Sequence, residues 1–181
     1  MSKALIIIDI QNDYFEGGAM ELHNPVQASE NAKKVLQTFR KDNEEIIHVQ
    51  HLAAAPEMGF FLPNTKGAEI HDNVKPKGGE KLIVKHAPNS FVGTDLLDYL
   101  KSKNISELVF TGMMTQMCID ASVRAAKDFG FECTVIGDAC ATRDLEINGK
   151  KVKAKDVQTA FLAGLGFYYA DVKNTKDYIS V

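Results

Sequence analysis

The sequence predicts an α/β domain: three layers, α/β/α, around a doubly wound, mainly parallel sheet of about six strands. Two observations predict it. Short β-branched runs alternate with helical apolar spacings along the whole chain, and such alternation specifies parallel strands joined by right-handed helical crossovers. The first run, Leu5-Ile6-Ile7-Ile8, also has no polar alternation, the pattern of a strand covered on both faces.

Each element follows in order. Leu5–Ile8 opens the sheet and, past a Gly17-Gly18 break, Ala32, Val35, Leu36 and Phe39 fall at i, i+3, i+4 and i+7, one apolar helix face. Glu45 to His51 is the second strand. Residues 52–79 carry prolines and glycines with no sustained period and read as a loop region able to hold specificity. Lys81-Leu82-Ile83-Val84-Lys85 is the third strand, and Leu96, Leu97 and Leu100 belong to a short helix after it. Leu108-Val109-Phe110 is the fourth strand, ending at Gly112. A helix from about Gln116 to Phe129 places Ile119, Val123 and Ala126 on one stripe. Thr134-Val135-Ile136 is the fifth strand, ending at Asp138. Asn148-Gly149 then marks a tight hairpin. The last helix shows Val157, Ala160, Phe161, Gly164 and Leu165 on one side, and Ala170-Asp171-Val172 closes the sheet. No linker or internal repeat interrupts the series, so residues 1–181 read as a single domain.

A chain of 181 residues is long enough to bury a continuous core, and 45% hydrophobic with 25% charged residues is ordinary for a folded soluble protein. A net charge of −3 gives no reason to expect nucleic acid or an anionic membrane as partner. The first apolar run is too short for a signal peptide, and nothing reaches membrane-spanning length. Cys118, Cys133 and Cys140 lack disulfide or metal spacing and read as free thiols in a reducing cytoplasm.

Sheets of this kind place their sites beyond the carboxyl ends of the strands. Asp9 follows the first strand, Lys85 closes the third, and Cys118 lies a short turn beyond the fourth. Alone, each has a plainer use: a cysteine fills core space, an aspartate braces a turn, a strand-end lysine meets solvent. Together they supply a nucleophile, a base and a cation. A free thiol has a pKa of about 8.5. The first turn of a helix and a nearby Lys85 ammonium are expected to lower it, with Thr115 as the helix N-cap. Asp9 is placed to take the thiol proton and hand it on.

At these residues the chain resembles the isochorismatase-like cysteine hydrolases, which include nicotinamidases and N-carbamoyl amidases. The resemblance runs through three blocks: Ala4 to Phe15 carrying Asp9; Val84-Lys85-His86-Ala87-Pro88-Asn89-Ser90-Phe91 with Thr94 and Leu96; and Phe110 to Cys118 with Arg124-Ala125-Ala126 and Gly130. Asp138-Ala139-Cys140 fits the segment that closes the family pattern. The resemblance implies hydrolysis of an amide-type bond through a thioester on Cys118. It also implies a cis peptide between Met113 and Met114, with the N–H groups of Met114 and Cys118 as oxyanion donors. Phe15 is expected to line the pocket, where an aromatic ring can cover a flat acyl group; Asn12, His51, Phe91 and Gln116 are further pocket candidates, each equally open to ordinary packing or loop hydrogen bonding.

Metal-dependent nicotinamidases carry Asp-x-His after the second strand. Here Gln50-His51-Leu52-Ala53 puts His51 and Ala53 at those positions, so no metal and no cofactor are expected, even with His71 available. His48 and His51 are three apart on a strand and face opposite ways. The expected substrate is a small amide or ureido compound, and the expected assembly a homodimer or larger homo-oligomer, with residues 52–79 and the final helix as contact candidates. Two alternatives stay open: vinyl-ether hydrolysis with Cys118 a bystander, and a non-catalytic binding or assembly module. A nucleotide site is disfavoured, because Asp9-Ile10-Gln11-Asn12-Asp13 has no Gly-x-Gly-x-x-Gly and its carboxylates repel phosphate.

Overall fold

The computed structural model describes residues 2–180. Its strands are β1 (Ser2–Ile8), β2 (Glu45–His51), β3 (Lys81–Lys85), β4 (Ile105–Met113), β5 (Glu132–Ala141), β6 (Leu145–Ile147), β7 (Lys150–Val152) and β8 (Asp171–Lys173). Its α-helices are α1 (Pro25–Lys41), α2 (Leu96–Ser102), α3 (Asp120–Asp128), α4 (Ala154–Tyr168) and α5 (Thr175–Ile179). One parallel six-stranded sheet runs β3-β2-β1-β4-β5-β8, and β6-β7 form a separate hairpin. The chain builds outward from β1 to β3, then returns to the far side of β1 for β4. That reversal opens a crevice beyond the carboxyl ends of β1 and β4.

Alternation along β1 explains the layers. Leu5 and Ile7 pack with Val35, Leu36 and Phe39 of α1 and with Tyr178 of α5. Ile6 and Ile8 pack with Leu96, Leu100, Val123, Ala126 and Leu165 from α2, α3 and α4. Each such side chain contributes about 1.5–3 kcal/mol by burial, so a one-residue slip, which would exchange the two faces, is strongly opposed. Gly112 lies opposite Ile8 in the register with φ 139°, and a Cβ there would overlap the Ile8 carbonyl. Only glycine lets β4 approach β1 so closely at the crevice.

The Asn148-Gly149 hairpin is present, with both residues at positive φ. Three expectations are corrected. The helix expected over Gln116–Phe129 is split: a wide π-type turn, Thr115–Ile119, precedes α3. On α4 the covered stripe is Ala154, Val157 and Leu165, with Phe161 half-buried, while Ala160 and Gly164 face outward. A short helix, α5, follows the closing strand.

Residues 52–79 form three short 3-10 turns tied down onto β1's exit. Gln11 bridges to Ile70, and the Asp13 carboxylate accepts from Phe61 N–H (2.6 Å) and Ala19 N–H (3.2 Å). Among the described residues no helix is long and apolar enough to cross a membrane.

Candidate active site

Asp9 begins where β1 stops. Its backbone turns into the left-handed region (φ 52°), its N–H continues the ladder to Val49 O (3.0 Å), and its side chain is fully buried. A non-glycine residue in that conformation at a strand end is a frequent mark of a functional position.

Lys85 ends β3 with its side chain fully buried, and its Nζ lies 2.7 Å from Asp9 Oδ2. The same ammonium donates to Ala87 O (3.0 Å) and Pro88 O (3.1 Å) and lies 3.3 Å from His51 Nδ1. The Asp9 Oδ1 atom has no hydrogen-bond partner among the described residues.

Cys118 stands in the turn after β4, beyond the cis Met113–Met114 peptide, and keeps 4% of its surface exposed. Its sulfur, an Asp9 carboxylate oxygen and a His51 ring nitrogen all lie within 4.8 Å of one another. Three distant stretches of chain thus bring a thiol, a carboxylate and an ammonium to one place, which their strand-end positions make possible and the sheet order brings about.

The protonation state differs from expectation. Burial, then the Asp9 carboxylate, pushes the Cys118 thiol well up, and Lys85 offsets this only in part. The resting sulfur is therefore a thiol. Asp9 is also raised, by burial, against the pull of Lys85. Burial alone would lower Lys85, but the Asp9 charge beside it leaves it raised and protonated. A sequence reading counts the nearby cation and misses how thoroughly the core desolvates the sulfur.

The remaining predicted residues are placed as follows. Thr115 is not an N-cap; its hydroxyl is engaged with Gln158 Oε1 (2.6 Å) and Ala141 O (3.2 Å). Phe15 is buried and stacks on His71, centroids 3.8 Å apart, while His71 Nδ1 accepts from Asn73 N–H. Asn12 donates to Lys66 O (2.9 Å), holding the 52–79 segment. Phe91 lies half-buried, edge-on to Phe129 at 5.2 Å. Gln116 is held by the Thr142 hydroxyl and by Met114 Sδ. His51 adjoins the centre itself, and His48 faces the other way onto Glu80 (2.8 Å).

Asp9, His51 and Cys118 are the described residues close enough to share a metal ion. The Lys85 ammonium already faces Asp9 and His51, and a second cation would have to displace it.

Two residues with a positioning role escaped sequence reasoning. Gln11 grips His51 with its amide, Oε1 accepting from His51 N–H (2.8 Å) and Nε2 donating to His51 O (2.8 Å). Gln158 of α4 ties Thr115 to the carbonyls of Gly137 and Cys140. Gln11 lies two residues past Asp9 and was visible as part of its block. Gln158 sits 43 residues from Thr115 and carries no local signal.

Comparison with known proteins gives a consistent result. Residues 3–162 match the family model described as the isochorismatase domain. The isochorismatase family protein YddQ of Bacillus subtilis is 49% identical, covering 99% of each chain. A crystal structure of an isochorismatase-type protein from Oleispira antarctica has a TM-score of 0.96 at 44% identity, over 99% of this chain and 97% of that one. A streptothricin hydrolase of Streptomyces noursei is 27% identical over 79% of this chain and 51% of its own length.

Proposed function

This chain belongs to the isochorismatase family of hydrolases, and from that premise we propose that it hydrolyses a small amide or ureido C–N bond through a thioester on Cys118. The observation that carries the proposal is the buried Asp9–Lys85 ion pair (2.7 Å) with the Cys118 sulfur within 4.8 Å of the carboxylate.

The steps follow from the protonation states. The sulfur attacks the carbonyl carbon as its proton passes to Asp9, so no standing thiolate is needed. Lys85 holds the carboxylate in place and stabilises its ionised form. The N–H groups of Met114 and Cys118 are the assigned oxyanion donors. Collapse expels ammonia or an amine, which leaves with the proton from Asp9. Asp9 next takes a proton from water as the water oxygen attacks the thioester. The acid departs, and that proton returns to the sulfur. The streptothricin hydrolase among the relatives is compatible with this chemistry only at the level of hydrolysis.

The test is a screen of unsubstituted amides and N-carbamoyl compounds for ammonia release, with the acyl-enzyme trapped and weighed intact. Cys118→Ala is expected to abolish turnover with the fold unchanged by circular dichroism. An alanine variant that still turns over, or that releases a carbonyl product from an enol ether, would remove the thioester from the reaction.

A further inference from the structure

The Lys85 ammonium has three hydrogens and faces four acceptors: Asp9 Oδ2 at 2.7 Å, Ala87 O at 3.0 Å, Pro88 O at 3.1 Å and His51 Nδ1 at 3.3 Å. It offers His51 only hydrogen, so Nδ1 presents its lone pair and the ring proton resides on Nε2. That Nε2–H is sealed from solvent and has no partner among the described residues. The Gln11 amide holds the His51 backbone at both its N–H and its carbonyl, and the Phe61 ring lies beside the imidazole, centroids 5.9 Å apart. Burial first, and the Lys85 charge second, bring the imidazole pKa down to about 4, so the ring stays neutral at ordinary pH.

The geometry points to His51 as the specificity-determining residue of the crevice, its Nε2–H donating to an uncharged acceptor, a carbonyl oxygen or ring nitrogen, on the acyl part of the substrate. This rests on the thioester reading, since one ring nitrogen of His51 lies within 4.8 Å of the sulfur, so that the imidazole, with Nδ1 turned to Lys85 and Asp9, neighbours any acyl group bonded there. A carboxylate in that place would find the local cation already spent, a neutral imidazole, and the Asp9 charge 3.9 Å from the ring. Burying an uncompensated anion costs far more than burying a hydrogen-bonded carbonyl. The substrates selected are therefore neutral amides or ureides, not carboxylate-bearing ones.

Alkylation of the full chain tests this without knowing the substrate. Iodoacetamide and iodoacetate share size and leaving group and differ in amide against carboxylate. Each forms an S–C bond, expels iodide and leaves the thiol proton on Asp9. Rates at Cys118 are read by peptide mass and normalised to free cysteine. The iodoacetamide preference is expected to exceed that of free cysteine, to fall about five- to tenfold in His51→Leu, and to persist largely in His51→Gln, which keeps a donor. A preference that is unchanged in His51→Leu overturns the proposal. Should the leucine variant not fold, a wild-type preference equal to that of free cysteine overturns it as well. Cys118 inert to both reagents while Cys133 and Cys140 react would instead overturn the nucleophile assignment itself.

Discussion

Asp9 and Lys85 are both fully buried and 2.7 Å apart, so neither charge can be deleted without stranding the other. Breaking a buried pair from one side typically costs about 3–5 kcal/mol, whereas replacing both charges with neutral groups is often nearly neutral. Lys85→Met and Asp9→Asn are each expected to lose stability on that scale by urea denaturation. The double variant is expected to recover most of the loss and to remain inactive. Full additivity of the two losses would show that the charges do not stabilise each other. The three candidate catalytic residues were legible in sequence because each lies at or just beyond a strand end and its proposed chemistry needs the other two. Their supports were not. Ala87 and Pro88 hold Lys85 through carbonyls, which every residue possesses and no motif can mark. The direction of the thiol shift was misread for a related reason: the helix start and the cation are local and visible, while the desolvation comes from the assembled core.

Glu80, just ahead of β3, fastens the elements that carry the lysine. Its carboxylate accepts from Arg40 Nε (2.6 Å) and Nη2 (2.9 Å) on α1, from Lys77 N–H (2.7 Å), and lies 2.8 Å from His48 Nε2 on β2. Burial alone would raise its pKa, but the Arg40 bonds, then the Lys77 N–H and His48, bring it from the ordinary 4.5 to about 2. A carboxyl whose folded pKa lies below its unfolded one contributes stability above the unfolded value and loses it as pH falls through the folded one. Glu80→Gln is therefore expected to cost about 1.5–3 kcal/mol at neutral pH, the scale of hydrogen bonds to a charged group. The gap to wild type should close as pH falls from 4.5 toward 2, measured as paired urea midpoints. A gap independent of pH would mean that the carboxylate charge is not what holds α1 to β2. Strands and hairpin were legible at this scale because their signals are local: a short β-branched run, or Asn-Gly. The boundary between the Thr115–Ile119 turn and α3 was not, because the apolar stripe through Ile119 and Val123 is compatible with either winding. On α4, Ala160 and Gly164 are small enough to sit on an open face and still look apolar in sequence.

Across the whole molecule, alternation of strand and helix implies parallel pairing but says nothing about which strands are neighbours. The return of the chain to β1's far side for β4 is what makes Asp9 and Cys118 adjacent, and it is set by the fit of both sheet faces to their helices, not by any segment alone. The order also grades stability. β1 and β4 are interior strands paired on both sides, with Ile6, Ile8, Leu108 and Phe110 fully buried. β3 is an edge strand paired only with β2, and it exposes Leu82 and Val84. The hairpin strand β7 is exposed throughout. Local openings span free energies from near zero to that of global unfolding, according to how many such contacts must be lost. Amide exchange followed by mass spectrometry should therefore be slowest in β1 and β4, intermediate in β3, and fastest over 145–152. The consequence for the crevice is directional: Asp9 and the turn bearing Cys118 hang from the most persistent strands, and Lys85 from a strand that can loosen alone. Access to the nearly enclosed sulfur is then expected to come from the β3 side. Exchange in β3 as slow as in β1 would exclude that route and leave opening to the 52–79 segment, whose anchors at Asp13 and Gln11 would have to release instead.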